Sequence, residues 1–200
     1  VVYEYLDKLG FKTTKSIWVE QSNEKNYDAG ITCENKLYLE WLKKIQKKGF
    51  EIGYHNTTYS SSKRQEIDKG LEKFIKFFGH SPKVMANHSN NKENIYWGSN
   101  RLSGLRKIIY NILTRFKKNN YYKGQDSSSL YFWGDLCKKN ITFVRNFVFA
   151  DINTLKKCPY MPYKDIDKPF VNYWFASSEG NNSKKFIKCI SNENQDRLEK

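Results

Sequence analysis

The chain has 200 residues, of which 35 are Lys or Arg and 21 are Asp or Glu, so its formal charge is +14. Its aromatic content of 16% argues against a disordered chain. No apolar run approaches the roughly 20 residues of a membrane span. We therefore expect one folded domain over residues 1–200 and no transmembrane segment.

The positive charge favours an anionic partner such as nucleic acid, phospholipid or an acidic glycan. The Lys residues are scattered over almost every segment, however, which is typical of solvated surfaces. Nucleic-acid binding is the least favoured function class, because the sequence has no helix-turn-helix pattern, RNP-like aromatics or clustered basic helix. The four Cys residues form no C-x-x-C pair and are interpreted as free thiols in a reducing cytoplasm.

Helical and extended patterns alternate along the chain. The predicted helices cover residues 1–9, 36–48, 60–78, 105–116 and 129–139, with two short terminal pieces at 184–190 and 193–200. The predicted strands are SIWVE (16–20), FEIGYH (50–55), KVMAN (83–87), ITFVRNFVF (141–149) and FVNYWFASS (170–178). The stretch 151–169 is predicted to be irregular. This alternation predicts an α/β fold with a mostly parallel sheet, whose carboxyl strand ends carry the chemistry.

Two of the three His residues fall at predicted strand ends. His55 follows FEIGY and His88 follows KVMAN, whereas His80 lies after a helix and is interpreted as a surface residue. Imidazoles are common ligands of divalent zinc, cobalt and nickel, and metal sites draw ligands from neighbouring strand ends. We therefore interpret His55 and His88 as candidate metal ligands, with a carboxylate expected as the third. A hydrogen-bonded structural role is the alternative for each.

The segment GFEIGYHNTTYSSSKRQEIDKGLEKFIKFFGHSPKVMANH (49–88) resembles the central part of the polysaccharide deacetylase family, carbohydrate esterase family 4. In that family a strand ending G-x-E-I-G-x-H-[ST] supplies a His metal ligand, and a helix and a G-x-x-P loop follow. The positions that match in type and order are Gly49, Glu51, Ile52, Gly53, His55, Gly79 and Pro82. Together with similar segments before it, the resemblance covers about residues 1–100.

The resemblance implies a partial or distorted (β/α) barrel of the polysaccharide deacetylase type. It also implies metal-dependent removal of an acetyl group from an amino sugar or polysaccharide, with zinc as the expected metal and cobalt or nickel as alternatives. The family's T-F-D-D motif, which supplies the catalytic base and an Asp ligand, would precede residue 1, so we expect an N-terminally truncated domain.

Three further family positions differ in this chain. Tyr59 stands where the family's H-x-x-x-H motif has its second His, and residues 86–89 (ANHS) replace its R-P-P-Y motif. No His follows residue 88 to act as the family's general acid. We expect His88 to replace the missing ligand, and Arg145 and Asp151 to replace parts of the family's catalytic support set.

Aromatic and amide side chains near the predicted strand ends suit a carbohydrate partner, because flat rings stack on the apolar faces of sugars. The candidate substrate-binding residues are Tyr54, Asn56, Tyr59, Asn87, Asn91, Tyr96, Trp97 and Trp174. Core packing is an equally good interpretation of Trp97 and Trp174. The alternative function is a catalytically inactive, carbohydrate-binding or scaffold relative of the deacetylases.

Overall fold

A computed structural model describes residues 2–22, 30–88, 90–116, 121–150 and 152–179. Asp151 and the two predicted terminal helical pieces lie outside these ranges. The helices are α1 (Val2–Lys8), α2 (Lys36–Lys47), α3 (Arg64–Phe78), α4 (Gly104–Leu113), α5 (Gly134–Asn140) and α6 (Thr154–Lys157). The strands are β1 (Thr14–Ile17), β2 (Glu51–Tyr54), β3 (Val84–Ala86), β4 (Phe143–Ala150) and β5 (Tyr173–Glu179). A short 3-10 helix (Gly98–Arg101) precedes α4.

The five strands form one sheet in which every pairing is parallel and the strand order is β1-β2-β3-β4-β5. The predicted α/β fold with a parallel sheet is therefore confirmed. Over the described ranges the sheet is open, since β1 pairs only with β2 and β5 only with β4. The order has no reversal of the kind that defines a doubly wound sheet. Because every pairing is parallel, all five strands present their carboxyl ends at one edge.

The core lies between the sheet and the apolar faces of α2 and α3. Helix α2 starts at an Asn35 cap, whose side chain accepts a hydrogen bond from the Tyr38 backbone N–H, and α3 ends at Gly79 in the left-handed region with φ 80°. The buried residues of α3 are Ile67, Gly70, Leu71, Phe74 and Phe78, at the spacing of one helical face. Ile75, beside Phe74 in the same helix, is 36% exposed.

Several regions differ from the predicted elements, since β1 ends at Ile17 and not at residue 20, and α3 begins at Arg64 and not at residue 60. The helix predicted over 129–139 begins only at Gly134, because the preceding residues form turns in which the Asp126 carboxylate accepts a hydrogen bond from the Ser128 backbone N–H. The stretch predicted to be irregular contains the one-turn helix α6, capped by the side chain of Asn153. No helix in the described part of the chain combines the length and apolar character needed to cross a bilayer.

Gly70 allows α3 to approach the loop after β2 closely. A Cβ atom at this position would lie 2.6 Å from Cγ2 and 2.8 Å from Oγ1 of Thr57. The carbonyl of Thr57 in turn accepts hydrogen bonds from the backbone N–H groups of Val19 and Glu20, just beyond β1. The helix therefore supports the loop that links the carboxyl ends of β1 and β2.

Candidate functional site

The carboxyl ends of the first three strands bring together Trp18, His55 and His88. Trp18 directly follows β1, His55 directly follows β2, and His88 lies two residues beyond β3. The ring centroids of the two His side chains are 5.2 Å apart, with their planes at 83°. The indole of Trp18 contacts both, with centroid distances of 5.3 Å to His55 and 5.7 Å to His88.

Hydrogen bonds fix the orientation of both imidazoles. Nδ1 of His55 lies 2.8 Å from the carbonyl of Ala86, and a carbonyl only accepts, so Nδ1 carries the proton. Nδ1 of His88 lies 3.1 Å from Oδ1 of Asn91. The amide nitrogen of Asn91 faces the carbonyl of Ser60 at 3.0 Å, which places its oxygen toward His88. Each ring therefore keeps its Nε2 lone pair for a ligand.

The spacing of the rings fits a shared divalent cation. Two imidazoles that bind tetrahedral zinc through nitrogens at about 2.1 Å hold their ring centroids roughly 5 Å apart, and the observed separation is 5.2 Å. Hydrogen bonds from Nδ1 to a carbonyl or an amide oxygen are the usual support of metal-binding His residues. The two side chains would thus supply two ligands of such a site.

Burial keeps His55 in the neutral form that can bind a metal. Burial lowers the pKa of His55 from 6.5 to about 4, and the nearby charges of His88, Arg145 and Lys15 act in the same direction. The hydrogen bond to Ala86 acts against them without reversing the shift. Arg145, which pairs with Ala86 across β3 and β4, is therefore close enough to influence His55 electrostatically.

A buried polar network holds the side chain and the backbone of His88 in position. Asn91 donates one hydrogen bond of 2.8 Å to Oε1 of Glu93, and Asn56 donates another of 2.9 Å to the same atom. Asn56 also donates to Oδ1 of Asn94 at 3.1 Å, and Asn94 donates to the His88 carbonyl. Glu93 is 1% exposed, and burial raises its pKa to about 7, although hydrogen bonds from its own backbone and from Asn91 act in the opposite direction. Sequence reasoning missed Glu93, since a single acidic residue in an Asn-rich loop carries no distinctive pattern.

Sequence reasoning also missed Trp18, which the strand predicted over 16–20 places inside the strand and not at its end. It follows β1 in the same way that His55 follows β2, but a tryptophan in a short apolar strand is more often a core residue. Its indole N–H is buried and has no hydrogen-bond acceptor among the residues that the structure describes. With Tyr59, whose ring lies 5.4 Å from Trp18 and 4.8 Å from His88, it forms an aromatic wall beside the imidazoles.

A polar cavity of about 380 Å³ opens beside His88 and Tyr59. The other residues that line it are Ser60, Ser61, Asn90, Asn91, Lys92, Tyr121 and Tyr131. The combination of tyrosine rings with hydroxyl, amide and ammonium groups can stack on the faces of a sugar and hydrogen-bond its hydroxyl groups. Of the predicted substrate-binding residues, Tyr59 and Asn91 therefore lie at a cavity that adjoins the imidazole pair.

Three other predicted substrate contacts have structural roles, and their assignment is corrected. Tyr54 is 1% exposed, donates or accepts a 2.6 Å hydrogen bond with Thr57, and packs against Phe74 and Trp133. Asn56 is buried in the polar network and adopts φ 61°, a conformation that Asn tolerates better than most residues.

The third, Asn87, binds both backbone groups of Ile95, at 3.0 and 3.1 Å, and so closes the loop after β3. Its side chain is 2% exposed. These buried amides shape the site and do not reach the cavity.

The remaining predicted residues lie at other places in the structure. Trp97 is stacked under the Arg101 guanidinium, 4.7 Å from the ring centroid, and lines a separate cavity with it. Tyr96 is 7% exposed, and Trp174 packs against Tyr163 with centroids 4.7 Å apart. Within the described ranges, none of these three residues has a ring contact or shares a cavity with His55 or His88. Asp151 is outside those ranges.

Within the described ranges, no group of three or more His, Cys, Asp and Glu side chains is arranged to hold a metal ion. The expected carboxylate ligand is therefore not supplied by these residues. Comparison of the chain with protein-family models, curated proteins and solved structures finds no match. The candidate site thus rests on its own geometry.

Proposed function

We propose that the protein is a metal-dependent hydrolase that removes an acetyl group from an amino sugar or a polysaccharide. The observation that carries the proposal is the perpendicular pair of His55 and His88, each with Nε2 left for a cation, beside a polar cavity lined by tyrosines. The chain-order parallel sheet is consistent with a partial (β/α) barrel of the deacetylase type.

In this proposal His55 and His88 hold the cation, with zinc expected first and cobalt or nickel as alternatives. The bound cation would lower the pKa of a water molecule and polarise the acyl carbonyl. The carbonyl of Ala86 and the amide of Asn91 keep the two rings in the tautomer that the cation requires. The resemblance implies that the third ligand and the catalytic base belong to the family's T-F-D-D motif, and that Asp151 and Arg145 belong to the catalytic support set.

In this proposal the aromatic wall and the cavity would bind the substrate. Tyr59 would stack on a sugar ring next to His88, while Lys92 and the serine hydroxyls would bind its oxygen atoms. Lys92 also lies 5.5 Å from the centroid of the Tyr131 ring, so the ammonium group is held at the cavity wall. Arg145, whose charge acts on His55, would stabilise the negative charge that develops on the acyl oxygen.

The experiment combines elemental analysis of the purified full chain with an assay of acetate release. His55→Ala and His88→Ala are compared with His80→Ala, a matched control because His80 is exposed and interacts with Gln46 and Ser81 away from the pair. We expect bound zinc in the wild type and in His80→Ala, and its loss in the other two variants. N-acetylated and O-acetylated sugar oligomers then test hydrolysis.

Three results would count against the proposal in different ways. Equal metal content in all variants would remove the imidazole pair from the metal site. Loss of metal in the two variants, with no acetate release by the wild type, would support the metal site and contradict the hydrolase activity. Binding of sugar oligomers with no hydrolysis would favour the inactive carbohydrate-binding alternative.

A further inference from the structure

Helix α4 exposes an unusually apolar face. None of its residues is buried, although its sequence GLRKIIYNIL is rich in aliphatic side chains. The exposed positions share one face at the spacing of successive helical turns and are Leu105 (69%), Ile108 (56%), Ile109 (48%), Ile112 (59%) and Leu113 (78%). Phe116, just after the helix, is 58% exposed. We call these six side chains the α4 face. A contiguous apolar surface of this kind marks an interaction site.

The segment around the α4 face carries only positive charge. Residues 94–125 contain no Asp or Glu, and their basic residues are Arg101, Arg106, Lys107, Arg115, Lys117, Lys118 and Lys123. Of these, Lys123 forms an ion pair with Asp126, just beyond the segment. Partly or fully exposed aromatic residues that suit a membrane interface accompany them in the same segment, namely Trp97, Tyr110, Phe116 and Tyr121. Elsewhere the chain mixes both signs, since it contains 21 acidic residues in total. Residues 94–125 therefore differ from the rest of the chain, where acidic residues are interspersed with the basic ones.

We propose that the α4 face docks the protein onto the surface of an anionic lipid bilayer. An amphipathic helix with aliphatic residues on one side and Lys or Arg beside them lies in the interface plane, with its apolar side among the acyl chains. The surrounding basic side chains interact with anionic headgroups. The helix has 10 residues, so it lies on the bilayer and does not cross it.

A basic recess adjoins this face. A cavity of about 460 Å³ is lined by Arg101 and Arg115, and it shares Leu113 with the α4 face. Tyr110 and Trp97 complete its aromatic side. Guanidinium groups that line a recess next to a membrane-docked apolar face can bind a lipid phosphate. The basic recess and the α4 face therefore both suit an anionic lipid bilayer.

A bilayer explains both features better than the other occupants. Nucleic acid would match the charge but would leave the aliphatic face in water. A second copy of the chain would cover the apolar face but would bring two basic segments together, because a symmetric dimer repeats the same patch. This inference does not depend on the proposed hydrolase.

The test is co-sedimentation of the full chain with vesicles of phosphatidylcholine alone and of phosphatidylcholine with phosphatidylglycerol. The test variant is Ile108→Glu with Ile112→Glu. The matched control is Leu130→Glu with Ile166→Glu, which changes the net charge equally at side chains that are 72% and 95% exposed outside the α4 face. Circular dichroism checks that both variants stay folded.

We expect the wild type and the control to bind the anionic vesicles, to bind the neutral vesicles weakly, and to be released by salt. The test variant should partition at least about tenfold less into the anionic vesicles. The proposal is overturned if the wild type does not bind anionic vesicles, or if the two double variants lose binding equally. It is also overturned if the α4 variant only converts a dimer into a monomer.

Discussion

The rings of His55 and His88 stand at 83° to each other with their centroids 5.2 Å apart, although they come from the ends of two different strands. Parallel pairing of β2 with β3 makes this meeting possible, because both strands end at the same edge of the sheet. The backbone carbonyl of Ala86 then accepts a hydrogen bond from the His55 ring, so β3 orients a side chain that directly follows β2. The two imidazoles therefore act as one structural unit.

Trp18 should report cation binding by its fluorescence. Its ring lies 5.3 Å from His55 and 5.7 Å from His88, so a Co²⁺ ion held by both imidazoles would quench it. We expect Co²⁺ to reduce the emission of the wild type, and Trp18→Phe to lose most of this quenching while still binding the ion. Trp41→Phe is the control, because Trp41 packs against Tyr3 and Tyr38. Equal quenching in both variants would contradict a cation at the imidazole pair.

Asn91 should be required for the position of His88. In Asn91→Leu the Nδ1 proton of His88 loses its acceptor, and Oε1 of Glu93 loses one of its donors. We expect a loss of about 1–3 kcal/mol in the free energy of unfolding, from the polar groups left without partners. The affinity for Zn²⁺ should fall by about tenfold to a hundredfold.

Denaturant unfolding and zinc titration measure the two effects of Asn91→Leu. The exposed neighbour Asn90 supplies the control, since Asn90→Ala leaves these hydrogen bonds in place. Zinc affinity that stays at the wild-type value in Asn91→Leu would show that the amide does not orient the metal ligand.

Glu93 should make the stability of the protein decrease as the pH rises. Its folded-state pKa of about 7 lies above the ordinary value of 4.5, so the folded state binds the proton more tightly. The stability that this proton provides is complete below pH 4.5 and is lost as the pH rises through about 7. The difference of about 2.5 pKa units corresponds to about 3 kcal/mol.

Glu93→Gln isolates this contribution, because Gln keeps an oxygen that accepts from Asn56 and Asn91 but does not titrate. We expect the variant to gain up to about 3 kcal/mol relative to the wild type between pH 4.5 and 7, measured by urea unfolding at a series of pH values. Titration of His55 occurs in both proteins and cancels in the difference. A difference that does not change over this range would mean that Glu93 has an ordinary pKa.

The sequence predicts the scaffold better than the site. Periodicity predicts the strands and α3 because the burial of one face controls both pattern and structure. It also places His55 and His88 at strand ends. It does not separate Tyr54, which is core, from Tyr59, which lies beside His88, because both are tyrosines next to one strand end. Tyr54 is the last residue of β2 and packs into the core, whereas the path of the chain after β2 decides where Tyr59 lies.

The buried amides show the same limit. Asn87 and Asn91 lie four positions apart in one polar loop, yet one closes the loop against Ile95 and the other orients His88. Each role depends on hydrogen-bond partners brought in by tertiary structure. The sequence predicts a helix over 105–116. The exposure of its apolar face, however, follows only from the absence of a covering element in the described ranges.

Gly70 should be required for the packing of α3 against the loop that carries His55. In an open helix Gly→Ala would stabilise the protein by roughly 1 kcal/mol. Here the new Cβ would lie 2.6 Å from Cγ2 of Thr57, and Thr57 cannot easily rotate because Tyr54 holds its hydroxyl at 2.6 Å. Overpacking of this kind costs about 1–3 kcal/mol, so we expect Gly70→Ala to lower the free energy of unfolding.

The cause can be tested with Thr57→Ala, which removes both of the atoms closest to the new Cβ. Gly70→Ala should be destabilising in the wild type and neutral or stabilising in the Thr57→Ala background, a coupling of at least about 1 kcal/mol in a double-mutant cycle. Urea unfolding of the four proteins measures it. If Gly70→Ala has the same effect in both backgrounds, the close approach of α3 to the Thr57 loop is not what requires glycine, and the support of His55 by this helix would have to come from other contacts.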